Sequence, residues 1–97
     1  MNRTQILDML TARRHEIASR YGVKRLAVFG SAARDELGSG SDVDVLVEFS
    51  GPATFRAYMD LKFYLEDLLG RPVDLVTDKA LRQELRPHVE RELIRVA

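Results

Sequence analysis

Two aspartates separated by a single residue follow a loop rich in glycine and serine. Asp42 and Asp44 lie in Ser41-Asp42-Val43-Asp44-Val45-Leu46-Val47. Alternate side chains of a strand project from the same face, so the two carboxylates would lie side by side. Adjacent carboxylates repel each other unless a cation neutralises them. Mg²⁺ is the natural partner because this hard ion prefers carboxylate oxygens. The pair therefore predicts a metal site.

A third aspartate interrupts the apolar segment Pro72-Val73-Asp74-Leu75-Val76. If this segment is a strand beside the first pair, Asp74 completes a cluster of three carboxylates. Two other interpretations stay open at this point. Asp-X-Asp after a Gly/Ser loop is often only a turn cap on a solvated face. A charge in an edge strand can also serve to discourage aggregation.

Gly30-Ser31 follows the apolar run Leu26-Ala27-Val28-Phe29 and marks the end of a buried strand. Glycine permits a sharp turn and a close backbone approach, and the N–H groups that follow can face an anion. Ser31 adds a hydroxyl donor, and Arg34 can bind a phosphate or pair with a carboxylate. Taken alone, a strand that ends in Gly-Ser is usually just a turn.

Helices and strands alternate along the chain and must position these residues. The predicted order is α-β-α-β-α-β-α, which indicates an α/β or α+β sandwich around one small sheet. Gly22 and Gly70 are predicted to end the two long helices. The elements are a helix over 3–20, a helix of one or two turns over Ser31–Leu37, strands over Val23–Phe29, Val43–Phe49 and Pro72–Val76, a helix from Thr54 to Leu69, and a helical region from Asp78 through Leu85 that resumes at Pro87 with Leu93 and Ile94.

The bulk composition indicates a single domain spanning residues 1–97. Fifteen basic and 15 acidic residues cancel, so no overall attraction to nucleic acid or to an anionic membrane is expected. The absence of cysteine excludes disulfides and thiolate metal sites. No signal peptide and no membrane-length apolar run is recognisable, so a cytoplasmic location is predicted.

The motif residues resemble those of the DNA polymerase β-like nucleotidyltransferases, and in particular the minimal nucleotidyltransferases. The signature of that family runs Gly-Ser-X-Ala-Arg-Gly-X5-Ser-Asp-X-Asp. Here the chain reads Gly30-Ser31-Ala32-Ala33-Arg34-Asp35, then five residues, then Ser41-Asp42-Val43-Asp44. Asp35 is the one departure, and it tolerates a left-handed backbone less readily than the usual glycine.

The resemblance implies a polymerase β-like fold with a small mixed three-stranded sheet flanked by helices. It also implies that Asp42, Asp44 and Asp74 are catalytic and hold two Mg²⁺ ions. Gly30 and Ser31, with Arg34 and Ser41 beside them, would bind the triphosphate of ATP.

Minimal nucleotidyltransferases of this type are typically antitoxins paired with a helical HEPN ribonuclease toxin. The resemblance therefore implies a hetero-oligomer in which AMP moves from ATP to a tyrosine hydroxyl of the toxin. One alternative is an antitoxin of the same fold that neutralises its toxin by binding alone. Another is a nucleotidyltransferase that modifies a small molecule, which is disfavoured because no acceptor-binding domain is recognisable. Neither a membrane nor a nucleic acid is an expected partner.

Overall fold

A computed structural model describes residues 1–81 and 83–97 and confirms a mixed α/β fold. Predicted helix residue 82 lies outside the described residues. None of the helices in these two ranges is both long and apolar enough to span a membrane. The elements are α1 (Arg3–Ala12), α2 (Arg14–Tyr21), β1 (Val23–Phe29), α3 (Gly30–Ala33), β2 (Val43–Phe49), α4 (Phe55–Leu69), β3 (Val73–Thr77), a 3₁₀ turn (Asp78–Ala80), α5 (Arg86–Glu92) and β4 (Ile94–Arg95).

The sheet is mixed, with strand order β3-β2-β1-β4. Strand β1 runs antiparallel to both β2 and β4, whereas β2 and β3 are parallel. The sheet has four strands and not the predicted three, because the segment with Leu93 and Ile94, predicted to belong to the last helix, contains β4. Helix α5 ends at Glu92, and Ile94 then pairs with Val28. A two-residue strand is too short to show an alternating pattern in the sequence.

The predicted helix over 3–20 is two helices that meet at Arg13. Its N–H bonds the carbonyls of Leu10 and Thr11, which tightens the last turn of α1. Both helices pack against α4, but α1 also lies against α3, whereas α2 also lies against β1. The spacing of apolar residues over 3–20 is compatible with one continuous helix, but packing against these neighbours divides it into two.

The main core lies on one face of the sheet. Val43, Val45 and Val47 of β2 are fully buried there, together with residues of the first, second and fourth helices: Ile6, Leu10, Ile17, Leu61, Leu65 and Leu69. Side chains alternate along a strand, so Asp44 and Leu46 project from the opposite face. The acidic residues of β2 consequently lie on the face away from the main core.

Asp35 adopts the left-handed backbone that its place in the motif demands, with φ +60. Among the described residues it is the one non-glycine with a positive φ. Its Oδ1 accepts a 2.9 Å hydrogen bond from the backbone N–H of Arg3, the first residue of α1. The aspartate therefore offsets its backbone cost by binding an N–H that the helix itself leaves free.

Substitutions at Asp35 should separate these two effects. Asp35→Gly relieves the backbone but loses the hydrogen bond, so the free energy of unfolding should stay within about 0.5 kcal/mol of wild type. Asp35→Ala loses the bond and keeps the strain, and should cost about 1–2 kcal/mol. Asp35→Asn keeps both features and serves as the control. Urea unfolding of the three variants measures their order of stability. An alanine variant as stable as the glycine variant would contradict the prediction.

Candidate active site

Three strands present the candidate site residues in one row across the sheet. Phe29, the last residue of β1, pairs with Asp44, and Asp44 pairs with Asp74 of the parallel strand β3. Asp74 alternates with the buried Val73 and Leu75, so it lies on the same sheet face as Asp44. The sheet thus brings together the Gly-Ser turn after β1 and two of the three predicted carboxylates.

Asp42 is the third predicted carboxylate and lies just before the first residue of β2. It is exposed, and its charge is close enough to raise the pKa of Asp44. In the described ranges, however, no three His, Asp or Glu side chains converge into a preformed metal cluster. Asp44 and Asp74 are paired across the two strands and share a side-chain hydrogen bond, whereas Asp42 lies at the rim with its neighbour Ser41.

Gly30 lies directly against Asp44. A Cβ placed on Gly30 would overlap Oδ2 of Asp44 and would lie 3.0 Å from its Cγ. Gly30 also has φ +67, a conformation that disfavours any side chain. Glycine is required here for two independent reasons, and the missing side chain makes room for the Asp44 carboxylate itself.

The surroundings of Asp44 disfavour the charged form of its carboxyl group. Burial, the charges of Asp74 and Asp42, and a hydrogen bond with Asp74 raise its pKa from 3.8 to about 6, with a smaller effect from Glu92. A cation beside these carboxylates would offset both the burial and the mutual repulsion of their charges. The donor set consists of hard carboxylate oxygens, and it fits Mg²⁺.

Ser31 and Arg34 occupy the turn that follows β1. Ser31 is partly exposed, and its carbonyl accepts a 2.8 Å hydrogen bond from Glu36 N–H, which closes the turn. Arg34 is 46% exposed, and its guanidinium pairs with two carboxylates, Glu92 at 2.8 Å and Glu36 at 2.9 Å. Both pairs raise the pKa of Arg34, that with Glu92 most.

Glu92 is a site residue that sequence reasoning missed. Its Oε1 accepts a 3.1 Å hydrogen bond from Gly30 N–H, and its Oε2 accepts one from Arg34. Burial by itself would raise the pKa of Glu92, but the bonds from Arg34 and Gly30 outweigh it and lower the pKa. Gly30 and Glu92 are 62 residues apart in the sequence, where Glu90-Arg91-Glu92 reads as an ordinary charged helix face.

The family model of the nucleotidyltransferase domain matches residues 13–96 of this chain. The matched range contains every residue of the site, from the Gly-Ser turn to Glu92. The chain belongs to the nucleotidyltransferase domain family. It is thus an enzyme of the nucleotidyltransferase class, and the predicted membership is confirmed.

Relatives of this nucleotidyltransferase match it along almost its full length. The protein adenylyltransferase MntA of Thermococcus cleftensis is 40% identical over 92 residues, which cover 95% of this chain and 93% of that protein. A solved structure provisionally assigned as a minimal nucleotidyltransferase has a TM-score of 0.78 and 41% identity, covering 97% of this chain and 95% of that one. These matches confirm the predicted fold family.

A more distant structure shows the same fold. It is the MNT antitoxin complex with the tri-AMPylated HEPN toxin of Shewanella oneidensis. The match has a TM-score of 0.68 at 17% identity, and covers 94% of this chain and 71% of that one. At this identity the likeness concerns the fold alone.

Proposed function

We propose that this nucleotidyltransferase is an Mg²⁺-dependent protein adenylyltransferase that transfers AMP from ATP to a tyrosine hydroxyl of a HEPN toxin, and so acts as its antitoxin. The observation that carries the proposal is the row Phe29–Asp44–Asp74, which sets the Gly-Ser turn against two carboxylates. Support for the substrate class comes from the relative that is 40% identical and is named a protein adenylyltransferase. The antitoxin role draws on the shared fold of the MNT antitoxin.

The carboxylates and the turn have separate tasks in this reaction. Asp42, Asp44 and Asp74 would hold Mg²⁺, which supplies positive charge to the triphosphate and to the leaving pyrophosphate. Gly30 N–H and the Ser31 hydroxyl are donors for the nonbridging phosphate oxygens. Arg34 and Ser41 lie beside them at the rim.

The acceptor approaches from the exposed side of the site. Strand β3 is at the edge of the sheet, and Asp74 is exposed there. A tyrosine hydroxyl of the toxin would attack the α-phosphorus, form the new P–O bond and break the bond to pyrophosphate. The hydroxyl proton passes to Asp74 or to solvent. A partner protein can reach this edge without any movement of the core.

A transfer assay tests the proposal. The protein is incubated with α-labelled ATP, Mg²⁺ and a candidate HEPN toxin from the same organism, and label should appear on a tyrosine of the toxin. Asp74→Asn should lower the transfer rate at least about a hundredfold, since a site group that acts on the transition state is removed. It should leave complex formation intact, measured by co-purification.

Asp60→Asn is the matched control, because Asp60 is an exposed aspartate of α4 that pairs with Arg56 outside the site. Its transfer rate should equal that of wild type. A wild-type protein that neutralises the toxin without labelling it would replace the proposal with neutralisation by binding alone. Transfer at the wild-type rate by Asp74→Asn would remove Asp74 from the site.

A further inference from the structure

Glu92 connects helix α5 to two donors of the Gly-Ser turn, the N–H of Gly30 and the guanidinium of Arg34. One oxygen accepts from Gly30 N–H and the other accepts from Arg34. The Glu92 side chain is 17% exposed, whereas Glu36, the other partner of Arg34, is 59% exposed. Both oxygens of a largely covered carboxylate are thus engaged by the nucleotide-binding turn.

The proposed function assigns Gly30 N–H to the triphosphate and places Arg34 beside it at the rim of the site. A carboxylate and a phosphate present similar oxygens to N–H groups, and Arg binds either one in the same way. Each backbone N–H supplies one donor, so Gly30 cannot bind Glu92 and a phosphate oxygen with full strength at once. A triphosphate beside Glu92 would also meet a like charge.

We propose that Glu92 is a displaceable substitute for phosphate, so that a nucleoside triphosphate must expel its carboxylate from Gly30 N–H and Arg34 in order to bind. This inference rests on the proposed function. Glu92 then acts as a positioning residue: it keeps the Gly30 turn and Arg34 in a geometry that already suits an anion, and it sets the affinity for the nucleotide.

The proposal predicts the direction in which a substitution of Glu92 changes the affinity for triphosphate. Glu92→Gln keeps an oxygen for Gly30 N–H but removes the charge that holds Arg34, and Glu92→Ala removes both contacts. Both variants should bind triphosphate more tightly than wild type, about three- to thirtyfold, as expected for the loss of competing charge-assisted hydrogen bonds. A residue that only supported the turn would have the opposite effect, because its loss would weaken binding.

Calorimetry with Mg²⁺ and a non-hydrolysable ATP analogue measures the dissociation constant in each variant. Glu36→Gln is the matched control: Glu36 pairs with the same Arg34 from the more exposed side and does not contact Gly30 N–H. Its affinity should stay within about twofold of wild type, as usual for an exposed pair. Circular dichroism establishes that each variant is folded, and either Glu92 variant is sufficient for the test.

Hydrogen exchange gives a second readout that does not depend on catalysis. Helix α5 is seven residues long and has no side-chain N-cap, and Glu92 attaches its last turn to Gly30 and Arg34. The analogue should speed exchange in α5 of the wild type and leave α5 of Glu92→Ala unchanged.

The possible failures are distinguishable. If wild type binds the analogue and the Glu92 variants bind equally or more weakly, the displacement is wrong and the proposed function stands. Slower hydrogen exchange in α5 of the wild type on binding of the analogue would likewise overturn the displacement of Glu92. If neither wild type nor variant binds the analogue, the proposed function falls and the role of Glu92 falls with it.

Discussion

Asp44→Asn is expected to abolish nucleotidyl transfer and at the same time to stabilise the metal-free protein. Burial, followed by the charges of Asp74 and Asp42, raises the pKa of Asp44 to about 6. At pH 7 the folded protein must therefore hold a charge that its surroundings oppose. An uncharged amide of the same shape removes this repulsion and can donate a hydrogen bond to Asp74. The gain in the free energy of unfolding should be about 1–3 kcal/mol after allowance for solvent screening.

The pH dependence of this gain follows from the sign of the shift. Below about pH 4 the carboxyl group is protonated in the folded and the unfolded states, so the variant and wild type should be equally stable. Between about pH 4 and 6 the folded state binds the proton more tightly, and wild type loses stability relative to the variant as pH rises. Above about pH 6 the difference should be complete. The difference between the two proteins isolates Asp44 from the other carboxylates.

Urea unfolding of both proteins at pH 4, 5.5 and 7 measures this difference. Asp60→Asn is again the control and should change stability little, because Asp60 is exposed and pairs with Arg56. Mg²⁺ should stabilise wild type and have a smaller effect on Asp44→Asn, since one carboxylate donor is lost. Transfer should fall at least about a hundredfold in the variant. A variant that is less stable than wild type at pH 7 would show that Asp44 is not under repulsion.

Gly30→Ala should be the most destabilising substitution at the site. The new Cβ would overlap Oδ2 of Asp44, and the residue would keep φ +67. Left-handed backbone strain alone costs about 1–2 kcal/mol. Displacement of Asp44 and of the paired strands should bring the total to at least about 3 kcal/mol. The loss should appear in urea unfolding, accompanied by loss of nucleotide binding.

Gly70→Ala is a matched control for the strain. Gly70 has the same φ of +67 at the end of α4, but nothing lies within 4 Å of its added Cβ. Gly70→Ala should therefore lower the free energy of unfolding only by the cost of the left-handed backbone, about 1–2 kcal/mol. In an Asp44→Ala background the overlapping oxygen is gone and the Cβ of residue 44 remains at 3.3 Å. Gly30→Ala should cost much less there, and equal costs in the two backgrounds would show that the two residues are not coupled.

Local pattern was sufficient for the elements that carry the motif. The alternation of Val43, Val45 and Val47 predicted β2 with its observed ends, and the apolar run before Gly30 did the same for β1. Thr54 and Gly70 cap α4 where the sequence placed its ends. These features depend on neighbouring residues, since caps and side-chain alternation are local properties of the backbone.

Contacts between residues distant in the sequence determined how the site residues are placed relative to one another. Parallel pairing sets Asp74 beside Asp44, although the two lie on separate strands joined by a helix. The contact of Glu92 with Gly30 and Arg34 depends on the path of α5 back across the sheet. No pattern in Glu90-Arg91-Glu92 distinguishes this residue from a solvated one, because its role comes from a partner 62 residues away. The sequence alone predicted which residues carry the chemistry, whereas the tertiary structure determined what surrounds Asp44 and which carboxylate bonds Gly30 N–H and Arg34.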